Sequence, residues 1–387
     1  MSNISLFEQR LRDELCRLQA NGNYRFLSET RQEGPFVVAD GRKMYNLSSN
    51  DYLGLAADRG LRAEFLRMLT PDSAVFSSSS SRLLSGTFPS HLRLEHRLAE
   101  LYGRESALVA SCGYHINAGI LPAIGHERML VLADKWVHAS LIDGIRLSSA
   151  RCIRFRHNDY AHLERLLARY SGEYESILIA TESIFSMDGD EADLPRLAGL
   201  KKKYPNVLLY VDEAHAFGLR GAHGLGCAEE QGCVGDIDFL VGTLGKALAS
   251  AGAFVVCNRL VYEYLVNKMR TFIFTTALPP LQMDWTFFLL ERLPSWDGRR
   301  ARLRSMSDFL RSVLQQKGYE CPSSSHILPV ITGESRKAVE LAAHLREKGF
   351  YVLPVRPPSV PEGTARVRIS LTAALPDEAV EKLAELL

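Results

Sequence analysis

Seven short runs, most of them continuously apolar, set the strongest limit on how this chain can fold. They are Ala107–Ala110, Met129–Ala133, Cys152–Phe155, Ser176–Thr181, Val207–Asp212, Phe239–Gly242 and Ala253–Cys257. Each has the length of a strand. Most lack the polar–apolar alternation of a sheet with one wet face. Stretches long enough for helices separate many of them. Strands buried on both faces and joined by helices form a mainly parallel sheet wrapped by helices. In such sheets the chemistry gathers at the carboxyl ends of the strands.

The flanking sequence is less uniform. Residues 5 to 20 predict an amphipathic helix, with Ser5 and Glu8 as a capping-box pair and Leu11, Leu15 and Leu18 on one face. That apolar stripe needs a cover, from a second domain or a second subunit. Residues 21 to 45 read as a short ribbon. The serine run Ser77–Ser81 has the composition of a linker, but its apolar flanks favour a loop lining a cleft. Residues 259 to 292 are helical with a break at Thr275–Pro280, and 299 to 317 form a basic helix with a solvated face. The end alternates again: Ile327–Ile331, a helix near Arg336–Lys348, Tyr351–Pro354, Arg366–Ser370 and a terminal helix. This predicts a smaller α/β domain.

At 387 residues and 46% hydrophobic, the chain buries a large core. At about 150 residues per domain it holds two to three of them. A net charge of +1 gives no electrostatic reason to expect nucleic acid or an anionic membrane. No apolar run reaches the roughly 18 residues of a membrane span. Met1–Ser5 shows no secretory signal. The seven cysteines are odd in number and include no C-x-x-C pair, which speaks against a disulfide framework or a cysteine zinc site. Cys152 and Cys257 read as small core residues, and a reducing, cytoplasmic location is expected.

Polar residues close three successive runs. Thr181 through Asp190 follows one, Asp212-Glu213-Ala214-His215 ends the next, and Thr243-Leu244-Gly245-Lys246 ends the third. Polar groups at buried strand ends are costly unless paired. A lysine held there can lose its proton and act as a nucleophile. Asp-Glu-Ala-His also occurs in nucleotidases, but those need G-x-x-x-x-G-K-[ST]. Here position 240 is Leu240 and position 247 is Ala247. No H-E-x-x-H or comparable zinc cluster occurs, and no metal is expected. Single histidines such as His91 and His344 read as surface residues. An aspartate, a histidine and a lysine together suit pyridoxal phosphate. The lysine joins the aldehyde, the aspartate pairs with the pyridine nitrogen, and an imidazole or hydroxyl bonds the phenolic oxygen. A helix start, here at Ser111-Cys112-Gly113-Tyr114, takes the phosphate.

With these motifs, Asn50-Asp51-Tyr52-Leu53-Gly54-Leu55 and His138-Ala139-Ser140, the chain resembles the α-oxoamine synthase family of pyridoxal phosphate enzymes over nearly its whole length. The resemblance implies the type I, aspartate-aminotransferase-like α/β fold. Residues 1–45 would be an N-terminal helix and ribbon, 46–275 a large cofactor-binding domain with a mainly parallel sheet, and 276–387 a small C-terminal α/β domain. It implies that Lys246 bonds the cofactor covalently, that Asp212 pairs with its ring nitrogen, and that His215 and Ser186 serve the phenolic oxygen. His138 would stack on the ring and polarise the thioester or donate a proton. Gly113, Tyr114 and Thr243 would hold the phosphate. Thr275 or Thr276 would reach the phosphate of a second subunit, which implies a homodimer. Arg368 would take the amino-acid carboxylate, with Asn50 nearby, and Arg25 and Arg356 the far carboxylate of the acyl substrate.

The implied reaction is a decarboxylative condensation of an amino acid with an acyl thioester. The segment Val355–Pro361, with its double proline, followed by Gly363–Arg368, points within the family to L-alanine and a pimeloyl thioester, as in biotin synthesis. Coenzyme A and an acyl carrier protein both stay open as the thiol carrier. A glycine- or serine-using member is a second reading. A binding protein without turnover is a third, and intact Lys246, Asp212 and His215 argue against it. The family usually has glycines among the residues aligned with Ser77–Ser81, and Ala249 stands where a glycine is common.

Overall fold

The computed structural model describes residues 5–387. All seven runs are strands of one sheet: β1 (Ser106–Ala110), β2 (Met129–Asp134), β3 (Arg151–Phe155), β4 (Ser176–Glu182), β5 (Val207–Asp212), β6 (Phe239–Thr243) and β7 (Ala253–Cys257). Their order is β1-β7-β6-β5-β4-β2-β3. Neighbours pair in parallel except β7, which runs antiparallel to both β1 and β6. In β1, β2, β6 and β7 every residue is buried, which is why these runs lack a polar alternate.

Of the two edge strands, β1 and β3, the second differs. In β3, Arg151, Cys152 and Arg154 are exposed, so Cys152 is not the core residue its sequence suggests, whereas Cys257 is buried. An edge strand has one open side, and its arginines oppose the docking of a further strand.

The chain divides into two compact units, Asn50–Leu303 and Met1–Ser49 with Arg304–Leu387. In the latter, Ser5 opens the helix Leu6–Ala20. Its hydroxyl accepts the Glu8 amide at 3.2 Å while Glu8 accepts the Ser5 amide at 3.2 Å. Leu6, Phe7, Leu11 and Leu15 on that helix are exposed. Strands Thr30–Glu33, Phe36–Ala39 and Arg42–Asn46 form an antiparallel ribbon, and Phe350–Tyr351 adds to it in parallel. The expected single strand Tyr351–Pro354 is therefore two pieces. Pro354–Val355 instead joins Ala365–Ser370, which also pairs with Ile327–Gly333. Proline has no amide for a ladder and sits at the first position of its strand, where the chain changes sheets. No helix among the described residues is long and apolar enough to cross a membrane.

In the larger unit the serine run is held in place. Ser78 Oγ donates to the Ala277 carbonyl at 2.6 Å, the Ala277 amide donates to the Ser80 carbonyl at 2.9 Å, and Ser81 bridges Thr276. Register then sets the edge that matters. Glu182 lies opposite Asp212, Asp212 opposite Val241, and Thr243 opposite Ala253. The ends of β4 and β5 are thus level, and β6 runs on from Val241 to Thr243 beside them. Close packing beside that edge needs a glycine, because a Cβ on Gly242 would lie 2.4 Å from the Phe254 ring. Gly242→Ala is expected to lower unfolding free energy by about 2 kcal/mol, read from urea denaturation.

Candidate active site

The lysine is carried by residues 244–252, which link β6 to β7. Backbone bonds brace the link: Leu244 N–H to the Gly252 carbonyl, Ser250 N–H to Leu244, and Ala249 N–H to Lys246, each 2.9 Å. Ala249 sits there at φ +49, and Ser79 at φ +48, so both departures from glycine include a residue with left-handed backbone. The brace leaves the Lys246 amine 2.8 Å from His215 Nε2. The buried His215 follows β5, and its Nδ1 lies 2.7 Å from the Tyr52 hydroxyl. That hydroxyl donates to Asn50 Oδ1 at 2.8 Å. Lys246, His215, Tyr52 and Asn50 therefore form one hydrogen-bonded chain.

Asp212, the last residue of β5, is buried with both oxygens served. Asn117 Nδ2 donates to one at 2.8 Å, and the Ala214 amide donates to the other at 2.9 Å. Asn117 comes from the helix Gly113–Ile124 and is fixed in turn. Tyr210 donates to its Oδ1 at 2.5 Å, and its Nδ2 also reaches Ser140 Oγ at 2.9 Å. Beside Asp212, Glu182 accepts the His138 amide at 2.5 Å. Burial, then the charge of Asp212, push the Glu182 carboxyl well above the ordinary carboxylate range, against the pull of Lys246. His138 caps the helix Ala139–Leu147, its Nδ1 taking the Ser140 amide at 3.2 Å, and the residue is exposed.

Gly113 and Tyr114 begin a helix whose N-cap, Cys112, makes no side-chain capping bond. Its first amides lie just beyond the end of β1, where an anion can take them. The Tyr114 hydroxyl donates to Asp143 at 2.7 Å. Thr243 closes β6, and its hydroxyl donates to the Gly252 carbonyl at 3.2 Å. Ser186 lies on the loop after β4. Thr275 and Thr276 line a narrow crevice with Ser111, Arg82 and His91.

Arg25, Arg356 and Arg368 belong to the smaller unit. Arg25 donates to Ser359 Oγ at 3.2 Å, and Arg356 donates to the Gly22 carbonyl. Burial, then the charge of Arg25, lower the pKa of Arg356, so the two cations are neighbours. Arg368 is half-buried on the strand Ala365–Ser370.

Tyr52 and Asn117 gained no separate role from sequence. The signal was present: a buried phenol or amide needs a partner, and Asn117 stands in the apolar stretch Ile116–Ile120. His91 is a correction. It is only 1% exposed, since it shares the inward face of the helix Pro89–Leu101 with Leu94 and Leu98. Its Nδ1 accepts the Phe88 amide at 3.3 Å and Nε2 donates to the Leu278 carbonyl at 3.0 Å. Burial, then Arg82, lower its pKa to about 4. His344 is exposed, as expected.

Residues 42–387 match the family described as aminotransferase class I and II. A protein of Haemophilus influenzae (strain 86-028NP), provisionally named 8-amino-7-oxononanoate synthase, is 49% identical over 371 residues, covering 96% of this chain and 98% of that protein. A Glaesserella parasuis (serovar 5, strain SH0165) protein with the same provisional name is 52% identical over 365 residues, covering 94% and 96%. Among solved structures, Sphingomonas wittichii serine palmitoyltransferase is similar with TM-score 0.89 and 32% identity, covering 100% of this chain and 97% of that one. The 8-amino-7-oxononanoate synthase of Francisella tularensis is similar with TM-score 0.74 and 27% identity, covering 89% and 96%. The chain has the type I fold of pyridoxal phosphate-dependent transferases and belongs to the aminotransferase class I and II family, on its α-oxoamine synthase branch.

Proposed function

We propose that this chain is a pyridoxal phosphate-dependent acyltransferase that condenses L-alanine with a pimeloyl thioester. The products are 8-amino-7-oxononanoate, CO₂ and the free thiol, and the enzyme works as a cytoplasmic homodimer in biotin synthesis. One observation carries the reading: a strand-end amine 2.8 Å from an imidazole, one strand from a buried and doubly hydrogen-bonded carboxylate.

The donor set fits the cofactor. Lys246 is a primary amine for an aldehyde, and Asp212 an acceptor for a pyridine N–H. His215 and Ser186 are partners for a phenolic oxygen. The uncapped helix start at Gly113 and Tyr114, with the Thr243 hydroxyl, suits a phosphate. When bound, pyridoxal phosphate supplies covalent capture of amines and a ring that accepts an electron pair. Asp212 needs no reorganisation for its part, because Asn117 and the Ala214 amide already fix it. His215 is placed to accept a proton from the lysine, and the freed amine then acts as the general base. The His138 ring offers a face to the cofactor and a proton to the acyl carbonyl. Thr275 or Thr276 serves the phosphate of the other subunit.

Arg368, with Asn50, binds the carboxylate of alanine. The neighbouring cations Arg25 and Arg356 favour an acyl chain ending in a carboxylate. Losing one charge-assisted bond costs about 2 kcal/mol, or roughly thirtyfold in an equilibrium constant. Arg356→Ala should therefore raise KM for pimeloyl-CoA by about thirtyfold and leave an uncharged acyl-CoA of similar length little changed.

Thiol release tests the reading, assayed with alanine, glycine or serine against pimeloyl-, acetyl- and palmitoyl-CoA. Fastest turnover on alanine plus pimeloyl-CoA supports it. Fastest turnover on glycine or serine would move the chain to another member of the branch. A protein that takes up no pyridoxal phosphate would sink the reading altogether.

A further inference from the structure

Beside the amine and carboxylates lies a second titratable cluster that the proposed chemistry does not use. His157 follows β3, between two carboxylates. Its Nδ1 is 2.8 Å from Asp134 Oδ1 and its Nε2 is 2.7 Å from Asp190 Oδ2. The Trp136 ring stacks on it at 3.9 Å and 21°, and Phe185 meets it edge-on at 4.4 Å. Only an imidazolium can donate from both nitrogens at once. The carboxylates are placed independently of it. Asp134 is fully buried at the end of β2, where Oδ1 also takes the Trp136 amide and Oδ2 takes the Asn158 amide. Asn158 Nδ2 in turn donates to Asp190 at 2.9 Å and to the Glu191 carbonyl at 3.1 Å.

These two carboxylates belong to two separate parts of the candidate site. Asp134 opens the short segment that ends in His138. Asp190 closes the loop that starts after Glu182 and carries Ser186. His157 bonds both segments through its two ring nitrogens, and the adjacent Asn158 bonds both through its amide and its side chain.

We propose that His157 is a positioning residue whose cation ties segment 134–138 to loop 183–190 and so fixes His138 and Ser186 around the cofactor. This rests on the reading that the site holds pyridoxal phosphate.

The charge state supports it. Burial disfavours the cation, but the hydrogen bonds to Asp134 and Asp190 outweigh burial and raise the pKa to about 9. Other charges nearby are already paired: Glu191 with Arg220, and Asp159 with Arg156 on the same segment as His157. The raised pKa means the clamp is whole at neutral pH and is lost as pH rises through about 9.

Trp136 reports on the clamp without the cofactor, because an imidazolium against an indole quenches its emission. The full-length chain, freed of cofactor, is titrated from neutral to alkaline pH. Emission should rise with a midpoint near 9, and the step should vanish in Trp136→Phe and in His157→Gln. A wild-type chain with no such step would overturn the clamp. Cofactor affinity is then read by equilibrium titration of the visible band at neutral pH. His157→Gln should bind pyridoxal phosphate about tenfold more weakly. Imidazole added to His157→Ala should restore part of the loss, which a merely structural defect would not allow. If His157→Gln does not fold, Asp190→Asn takes its place with the same expectation. Affinity within twofold of wild type in a folded variant overturns the positioning role. A wild type that binds no cofactor instead overturns the reading of the site.

Discussion

Lys246→Ala should give a folded chain whose turnover is lower by about 10,000-fold or more. Folding is expected to survive because the 244–252 link is braced by its own backbone bonds and the lysine side chain is only half-buried. What disappears is the one amine held 2.8 Å from His215. Neither another side chain nor solvent replaces it, because covalent capture needs a nucleophile fixed at that atom. Two measurements check this. Borohydride should no longer lock the cofactor onto the protein, read as loss of the adduct mass. Thiol release from acyl-CoA should fall to background. A variant that keeps both would remove Lys246 from the reaction.

The second large effect is expected at Asp212. Asp212→Asn keeps the shape but removes the charge that a protonated pyridine nitrogen needs, and kcat should fall by about 1,000-fold. The same change has a consequence without cofactor. Glu182 lies opposite Asp212 in register, and burial followed by that charge raises its pKa well above the ordinary 4.5. A group with a raised folded pKa gives stability that is whole below its unfolded pKa and is lost as pH rises through the folded one. The wild-type chain without cofactor should thus lose stability as pH climbs from about 4.5 towards the raised pKa of Glu182. In Asp212→Asn the Coulombic part of that shift is gone, so the decline should be smaller. Urea denaturation across pH reads the difference, and identical slopes in the two proteins would separate Glu182 from Asp212.

The strands were legible because burial on both faces demands unbroken apolar sequence, as in β2 and β7. Asp212 and Lys246 were legible because a charge that ends such a run has no role in the core. Strand order was not legible. Arg151 and Arg154 on either side of Cys152 were a local sign of an open strand, but the apolar neighbours made Cys152 read as core. Partnerships across the fold were hidden as well. Tyr52 lies far in sequence from His215, and Asn117 far from Asp212, so their bonds exist only once helices and strands have packed. His91 was misread for a different reason. Its spacing to Leu94 and Leu98 placed it on their apolar face, but as a polar side chain it read as exposed.

The antiparallel strand β7 has a further meaning. β6 and β7 form a hairpin, so the lysine rides on a short closure between adjacent strands. Asp212 ends, and His138 follows, a strand that pairs in parallel with its neighbours, and such pairing needs longer connections. Short closures lose little chain entropy and form early, while parallel pairings between distant segments form late. The seat of Lys246 thus belongs to the local part of the folding landscape, and Asp212 and His138 arrive with the long-range part. A chain stalled midway would hold its lysine in place before it has anything to hold a cofactor against.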